Sequence, residues 1–426
     1  MVKDIHECSF CGEPKAPERP LIAGRDGQIC EACTKLAMQI VDNWGRARED
    51  DQLLSPPPVP MKIKDMMDRY IIGQDGAKET LAVAVYNHFK RLAVESIPKQ
   101  STIDDDSRVE VDKSNILLLG PSGTGKTLFA RTLARIAGVP FVIADATSLT
   151  QAGYVGDDVE SIIERLLEAA DGNVGLAEWG IVYLDEVDKL AKQGASAHGT
   201  RDVSGEGVQQ ALLKLVEGST VKVASKQGRK HDNKDLSIDT RNILFIAGGA
   251  FDGMVELINE RGKGDQPSIG FGADMTKISS AKDEVKSYTG VTPGDLKRFG
   301  LIPEFIGRFP IVATLDPLTV EDMVAILTQP KDALIKQYQY LFEHEGVELV
   351  FSDDALKEIA QKALDMETGA RGLRGVLEGL LQRTMFELPS HEGVVRCEVD
   401  RDAVLGEGKV EMIFAKEKPS QKKSAG

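Results

Sequence analysis

The sequence has no run of about 18 apolar residues, the length a membrane-spanning helix needs. Its opening residues, Met1-Val2-Lys3-Asp4-Ile5-His6-Glu7, lack the apolar segment of a secretory signal, so the expected compartment is the cytoplasm. Positive charge is in deficit. The 52 Lys and Arg against 67 Asp and Glu leave a net charge of −15, which argues against a largely basic nucleic-acid-binding body. No basic stripe interleaved with aromatics offsets that balance. Cysteine is scarce, five in 426 residues, and a reducing compartment disfavours disulfides among them. No internal repeat is found. What remains is a hydrophobic share of 42% and a charged share of 28%, enough for buried cores under a soluble surface. The length suggests about three domains of roughly 150 residues each.

Four of the five cysteines fall within the first 33 residues, and Ser55-Pro56-Pro57-Pro58-Val59-Pro60 reads as a semi-rigid linker. Residues 1–50 are expected to form a small module and 51–62 the linker. An α/β domain is expected over 63–316, a small mostly α domain over 317–415, and a polar, disordered tail over 416–426. In the α/β part, five apolar runs read as strands: Asn115–Leu119, Pro140–Ala144, Gly180–Leu184, Asn242–Ile246 and Phe309–Ala313. Continuous rather than alternating apolarity predicts burial on both faces, as in a parallel sheet covered by helices. Segments 191–207 and 261–294 read as long surface loops. Beyond Pro317 the apolar positions recur at helical spacing, with Ser352 as an N-cap ahead of Asp353 and Asp354, and Cys397 on a predicted strand.

Gly120-Pro121-Ser122-Gly123-Thr124-Gly125-Lys126-Thr127 matches G-x-x-x-x-G-K-[ST] in full, between a predicted strand and an apolar helix. Such a loop cradles phosphates with backbone N–H groups at a helix N-terminus. Lys126 is expected to reach the β and γ phosphates of ATP, and the Thr127 hydroxyl to hold a Mg²⁺ position. The strand Ile181-Val182-Tyr183-Leu184 ends in Asp185-Glu186, which places Asp185 toward the Mg²⁺ shell and Glu186 toward the attacking water. An acidic pair at a strand end is also a common solvated terminus; beside a complete phosphate loop it points to hydrolysis.

Cys8-x2-Cys11, eighteen intervening residues, then Cys30-x2-Cys33 fits the spacing of a four-thiolate zinc site. Two close pairs can meet tetrahedrally around one Zn²⁺, and a module of about 40 residues needs the metal to fold.

Together these motifs resemble the AAA+ ATPases, and further segments are similar to the ClpX unfoldases, from Cys8 to about Ala415. Arg69-Tyr70-Ile71-Ile72-Gly73-Gln74 resembles that family's adenine-side segment, which implies nucleotide contacts from Ile71 and Ile72. Gly153-Tyr154-Val155-Gly156 resembles its pore loop and Arg229-Lys230-His231 its second pore loop. Ile269-Gly270-Phe271 resembles the tripeptide that docks on the peptidase ClpP. Glu304-Phe305-Ile306-Gly307-Arg308 resembles the arginine-finger segment and Gly369-Ala370-Arg371 the sensor-2 segment. Ala247-Gly248-Gly249-Ala250 offers no polar side chain where many AAA+ proteins orient water, so no sensor-1 residue is assigned. The resemblance implies a homo-hexamer that unfolds tagged proteins with ATP and feeds them to ClpP. It also implies an N-terminal module that dimerises and receives substrates or adaptors. The alternatives are an HslU-like unfoldase, disfavoured by the cysteines and by Ile269-Gly270-Phe271, and a zinc-containing AAA+ nucleic-acid remodeller, disfavoured by the negative charge.

Overall fold

The computed structural model describes residues 7–17, 20–24, 27–38, 58–95, 109, 111–150, 157–191, 205–224, 235–264 and 287–415. The chain divides into two compact units, Met1–Pro57 with Ala93–Ile97, and Pro58–Leu92 with Pro98–Gly426.

In the first unit, strands β1 (Leu21–Ala23) and β2 (Gln28–Cys30) pair antiparallel, with Leu21 opposite Cys30. Residues 31–38 follow as a helix. Apolar burial there is slight: Phe10, Ile22 and Leu36 are exposed, while Cys8 and Cys30 are buried.

The second unit opens with helix α1 (Pro60–Asp68) and with α2 (Asp75–Glu95) as far as Leu92. Among the described residues, its central sheet has five parallel strands. They are β3 (Ile116–Leu119), β4 (Phe141–Asp145), β5 (Ile181–Asp185), β8 (Leu244–Gly249) and β9 (Ile311–Thr314), in the order β9–β3–β8–β5–β4. Along the chain between β5 and β8, β6 (Thr220–Ala224) pairs antiparallel with β7 (Asp235–Asp239). Side-chain alternation divides the apolar strands between two cores. Leu117, Leu119, Val182, Leu184 and Phe245 face one, with Ile163 and Leu166 of α4 (Ser161–Ala169) and Leu212 and Leu215 of α5 (Glu206–Glu217). Ile116, Leu118, Ile181, Tyr183 and Ile246 face the other, with Met67 of α1, Leu81 and Val85 of α2, and Phe129 and Leu133 of α3 (Lys126–Ala137). Each fully buried Leu, Ile or Phe contributes about 1.5–3 kcal/mol, so burial on both faces explains the uninterrupted apolar runs.

Three helices lie along the chain between β8 and β9: α6 (Met254–Gly264), α7 (Pro293–Phe299) and α8 (Pro303–Gly307). The predicted loops are therefore shorter at their described ends. Glu206 and Gly207 already belong to α5, Arg261 to Gly264 to α6, and Pro293 opens α7. In α7 a reciprocal cap between Thr292 and Asp295 fixes the start, a local signal hidden inside a polar stretch.

After β9 the chain forms α9 (Val320–Thr328), α10 (Leu334–His344), α11 (Asp353–Asp365), α12 (Ala370–Glu387) and α13 (Arg401–Leu405). They pack with a three-stranded sheet, β10 (Glu348–Phe351), β11 (Val394–Val399) and β12 (Glu411–Phe414), in that order. Their core joins Leu349 and Cys397 to Ile359, Leu373, Leu377 and Leu381. Ser352 caps α11 by accepting the Ala355 N–H.

Candidate nucleotide site and cysteine cluster

The phosphate loop spans the turn between β3 and α3, with Gly125 as the left-handed N-cap of the helix. Inside that loop the Lys126 ammonium donates to the carbonyls of Gly120 at 2.6 Å and Pro121 at 2.9 Å. Burial holds its pKa below the usual lysine range, with Asp185 and Asp188 opposing the shift. Thr127 donates its hydroxyl to Asp185 at 3.0 Å, and the buried Tyr183 hydroxyl donates to the same carboxylate at 3.2 Å. Burial, and then the Asp185 charge, push the Tyr183 phenol well above its usual range, so it stays a donor. Glu186 is exposed and sits in the left-handed region at φ 56°, which non-glycine residues rarely adopt.

Above the loop lies the start of α12. The Ala370 N–H donates to the Gly123 carbonyl at 3.2 Å, and the approach is so close that a Cβ on Gly123 would lie 2.3 Å from the Thr368 carbonyl oxygen. This contact brings Arg371 to a cleft of about 400 Å³, which it lines with Ser122, Lys126, Thr127, Asp185 and Glu186.

Asp188, Lys189, Gly249, Ala250 and Asp252 line the same cleft; Gly249 and Ala250 lie in the segment assigned no sensor-1 residue, and the sequence reading singles out none of the other three. Asp188 is buried and accepts the Ala250 N–H at 3.2 Å. It fills the space above Gly249, where an added Cβ would meet its carboxylate oxygen at 2.4 Å. A third carboxylate one helical turn beyond Asp185 was the available signal; Asp252 had none, because only the tertiary path brings it in.

The other predicted residues fall elsewhere. Ile71 is buried in the core beneath α1, and neither it nor Ile72 lines the cleft. Arg308 follows α8 and pairs with Glu217, also away from the cleft. Tyr154, Val155, Arg229, Lys230, His231, Ile269, Gly270 and Phe271 lie outside the described residues.

In the first unit, one thiol sulfur from each of Cys8, Cys11, Cys30 and Cys33 lies within 4.8 Å of the others, and all four are free thiols. Cys11 Sγ and Cys30 Sγ are 3.9 Å apart, and the Cys30 N–H donates to Cys8 Sγ at 3.3 Å. Tetrahedral Zn–S bonds of about 2.3 Å put sulfurs about 3.8 Å apart, so the cluster fits the ion. The Cys11 N–H contributes most to drawing the Cys8 thiol down to about 6, whereas interaction with Cys11 leads in pushing Cys33 up to about 12. Without a cation these sulfurs resist carrying four negative charges together; a divalent ion removes that conflict.

A glycine loop on a parallel sheet, closed by an arginine-bearing helix of a second helical domain, defines an AAA+ ATPase. Residues 111–312 match the AAA domain (Cdc48 subfamily), 6–43 the ClpX C4-type zinc finger, and 318–400 the C-terminal, D2-small domain of ClpB protein. The chain is 56% identical over 413 residues to the ATP-dependent Clp protease ATP-binding subunit ClpX 3 of Methylococcus capsulatus, covering 96% of this chain and 95% of that one. It is 55% identical to the ATP-dependent Clp protease ATP-binding subunit ClpX of Azotobacter vinelandii, over 92% and 88% of the two chains. Its identity to that of Treponema denticola is 48%, over 91% of each. The chain belongs to the ClpX family.

Proposed function

We propose that this chain hydrolyses ATP to unfold tagged proteins and thread them through the pore of a cytoplasmic homo-hexamer into the peptidase ClpP, with adaptors received by the N-terminal module. The observation that carries the reading is the contact between the phosphate loop and the start of α12. An event at the γ-phosphate is thereby passed to a whole domain through Gly123, Gly369 and Arg371. Relatives named as the ATP-binding subunit of a Clp protease support the same reading.

In this mechanism the loop from Gly120 to Thr127 binds the phosphates, and Lys126 exchanges its two carbonyl partners for phosphate oxygens. Thr127 and Asp185 would hold Mg²⁺, which supplies neutralising charge at the phosphates. Glu186 takes the proton of the attacking water, Arg308 reaches the phosphate from a neighbouring subunit, and Arg371 reports the nucleotide state to its helix. Ile71 and Ile72 contact the base. Tyr154 and Val155, with Arg229, Lys230 and His231, grip the substrate in the pore. We assign 1–50 to the zinc-binding module, 51–62 to the linker, 63–316 and 317–415 to the large and small AAA+ domains, and 416–426 to the tail.

Ile269-Gly270-Phe271 supplies the peptidase contact. One contact of this kind binds weakly, but several copies on a ring raise avidity by roughly 10²–10⁴. The purified protein with ATP and ClpP should degrade a stable protein bearing a flexible C-terminal tag. Phe271→Ala should retain ATP hydrolysis and lose most of that degradation. Salt-sensitive stimulation of hydrolysis by DNA, with no degradation, would favour the nucleic-acid reading instead.

A further inference from the structure

Arg308 is held at both ends. Asn115, buried just before β3, donates from its side-chain nitrogen to the Arg308 carbonyl at 2.9 Å, while its oxygen accepts the Phe245 N–H at 3.2 Å. The backbone beneath the guanidinium is thereby fastened to the central sheet. At the other end Nε and Nη2 both approach Glu217 Oε1 at 2.8 Å. Glu217 is the last residue of α5, where the helix end adds negative partial charge. The turn behind it is packed: a Cβ on Gly218 would lie 2.4 Å from Arg241 Cγ, so the carboxylate is presented from a fixed point.

The two side chains are 53% and 43% exposed. An ion pair that exposed is weak and screened by salt. A buried pair would be costly to break, whereas this one exchanges readily for a partner of higher charge. Phosphate oxygens, which accept two parallel guanidinium bonds, are such a partner. With Asn115 retaining the backbone, the exchange needs only a side-chain swing.

We propose that Glu217 is a positioning residue that holds Arg308 within its own chain at rest and competes for it with the phosphate bound by a neighbouring subunit. This rests on the reading of Arg308 as an arginine finger. In the resting pair the guanidinium is oriented but withheld, so hydrolysis in one subunit waits on release of an ion pair in the next.

The test is steady-state ATP hydrolysis by the full chain across ionic strength, for wild type, Glu217→Gln, Arg308→Ala and the double variant. Glu217→Gln keeps shape on an exposed site and removes the competing charge. It should raise kcat by roughly two- to fivefold at low salt, the range set by an exposed ion pair. The gain should shrink as salt screens the wild-type pair, and it should vanish in the Arg308→Ala background. A kcat for Glu217→Gln at or below wild type at low salt, with Arg308→Ala nearly inactive, overturns the role of Glu217 alone. Wild-type hydrolysis by Arg308→Ala instead removes the finger reading, and this inference with it.

Discussion

The Thr127 hydroxyl donates to one oxygen of Asp185 at 3.0 Å, while the other oxygen accepts the Glu186 N–H, also at 3.0 Å. One carboxylate therefore ties the phosphate loop to the residue that follows β5. Glu186 is bent into the left-handed region at this point, a conformation that costs on the order of 1–3 kcal/mol and persists only where its surroundings impose it.

The strain and the cleft position together support Glu186 as the base that activates water. Glu186→Gln keeps the side-chain shape and loses the proton acceptor. ATP should bind with unchanged affinity while turnover falls by about 10²–10⁴, the usual worth of a general base. Nucleotide binding and steady-state hydrolysis measured on one preparation decide it, and normal turnover would sink the assignment.

Gly123 is the second test. Its φ is +77°, and a Cβ would lie 2.3 Å from the Thr368 oxygen and 2.8 Å from Gly369 Cα. Gly123→Ala should force the loop and the start of α12 apart, move Arg371, and lower ATP turnover by at least about tenfold. Gly379→Ala is the control: it lies in the same helix with no atom outside its own stretch of helix backbone within 4 Å of the new methyl, and should be neutral or slightly stabilising. Equal activity in the two variants would show that closure of α12 on the loop is dispensable.

Much of this was legible in the sequence where the determining contacts are local. The phosphate loop, the Asp185-Glu186 strand end and the cysteine spacing each lie within one short segment, and strands buried on both faces announce themselves by unbroken apolarity. Asn115 and Glu217 were not legible as partners of Arg308, because they are 193 and 91 residues away from it and meet it only through the sheet order. Asp188 had a signal in its place three residues after Asp185, but it is one of several acids near that strand end, and its burial and its bond to the Ala250 N–H are what set it apart.

Lys113 gives a prediction with a definite sign in pH. Its ammonium donates to the Thr240 carbonyl at 3.1 Å and lies 4.7 Å from the Phe245 ring centroid. Burial, reinforced by Arg91 and opposed by Asp239, pushes its pKa down from 10.5 to about 7. Between those values the unfolded chain holds a proton that the folded chain has released. This residue's contribution to stability therefore rises with pH across the window and is lost as pH falls through 7. Lys113→Met should flatten the slope of unfolding free energy against pH in that window. Identical slopes for wild type and variant in denaturant unfolding would contradict it.

The cysteine cluster makes the last prediction, and it concerns what holds the first unit together. Among its described residues only Cys8 and Cys30 are buried in an apolar sense, while Phe10, Ile22 and Leu36 are 73%, 61% and 56% exposed. Two strands of three residues each cannot offset the entropy of ordering the chain without a further contribution. The four sulfurs, all within 4.8 Å of one another, are placed to supply it through a metal. Reduced, freshly purified protein should carry one Zn²⁺ per chain, and a strong chelator should abolish hydrogen-exchange protection over residues 7–38. The sheet of the second unit has its own two cores, so ATP hydrolysis should survive the loss of zinc once the chelator is removed and Mg²⁺ is restored. Chelation that strips the metal and leaves residues 7–38 protected would mean that the cluster decorates a fold held by other forces. With so little apolar surface buried there, no such force is evident among the described residues.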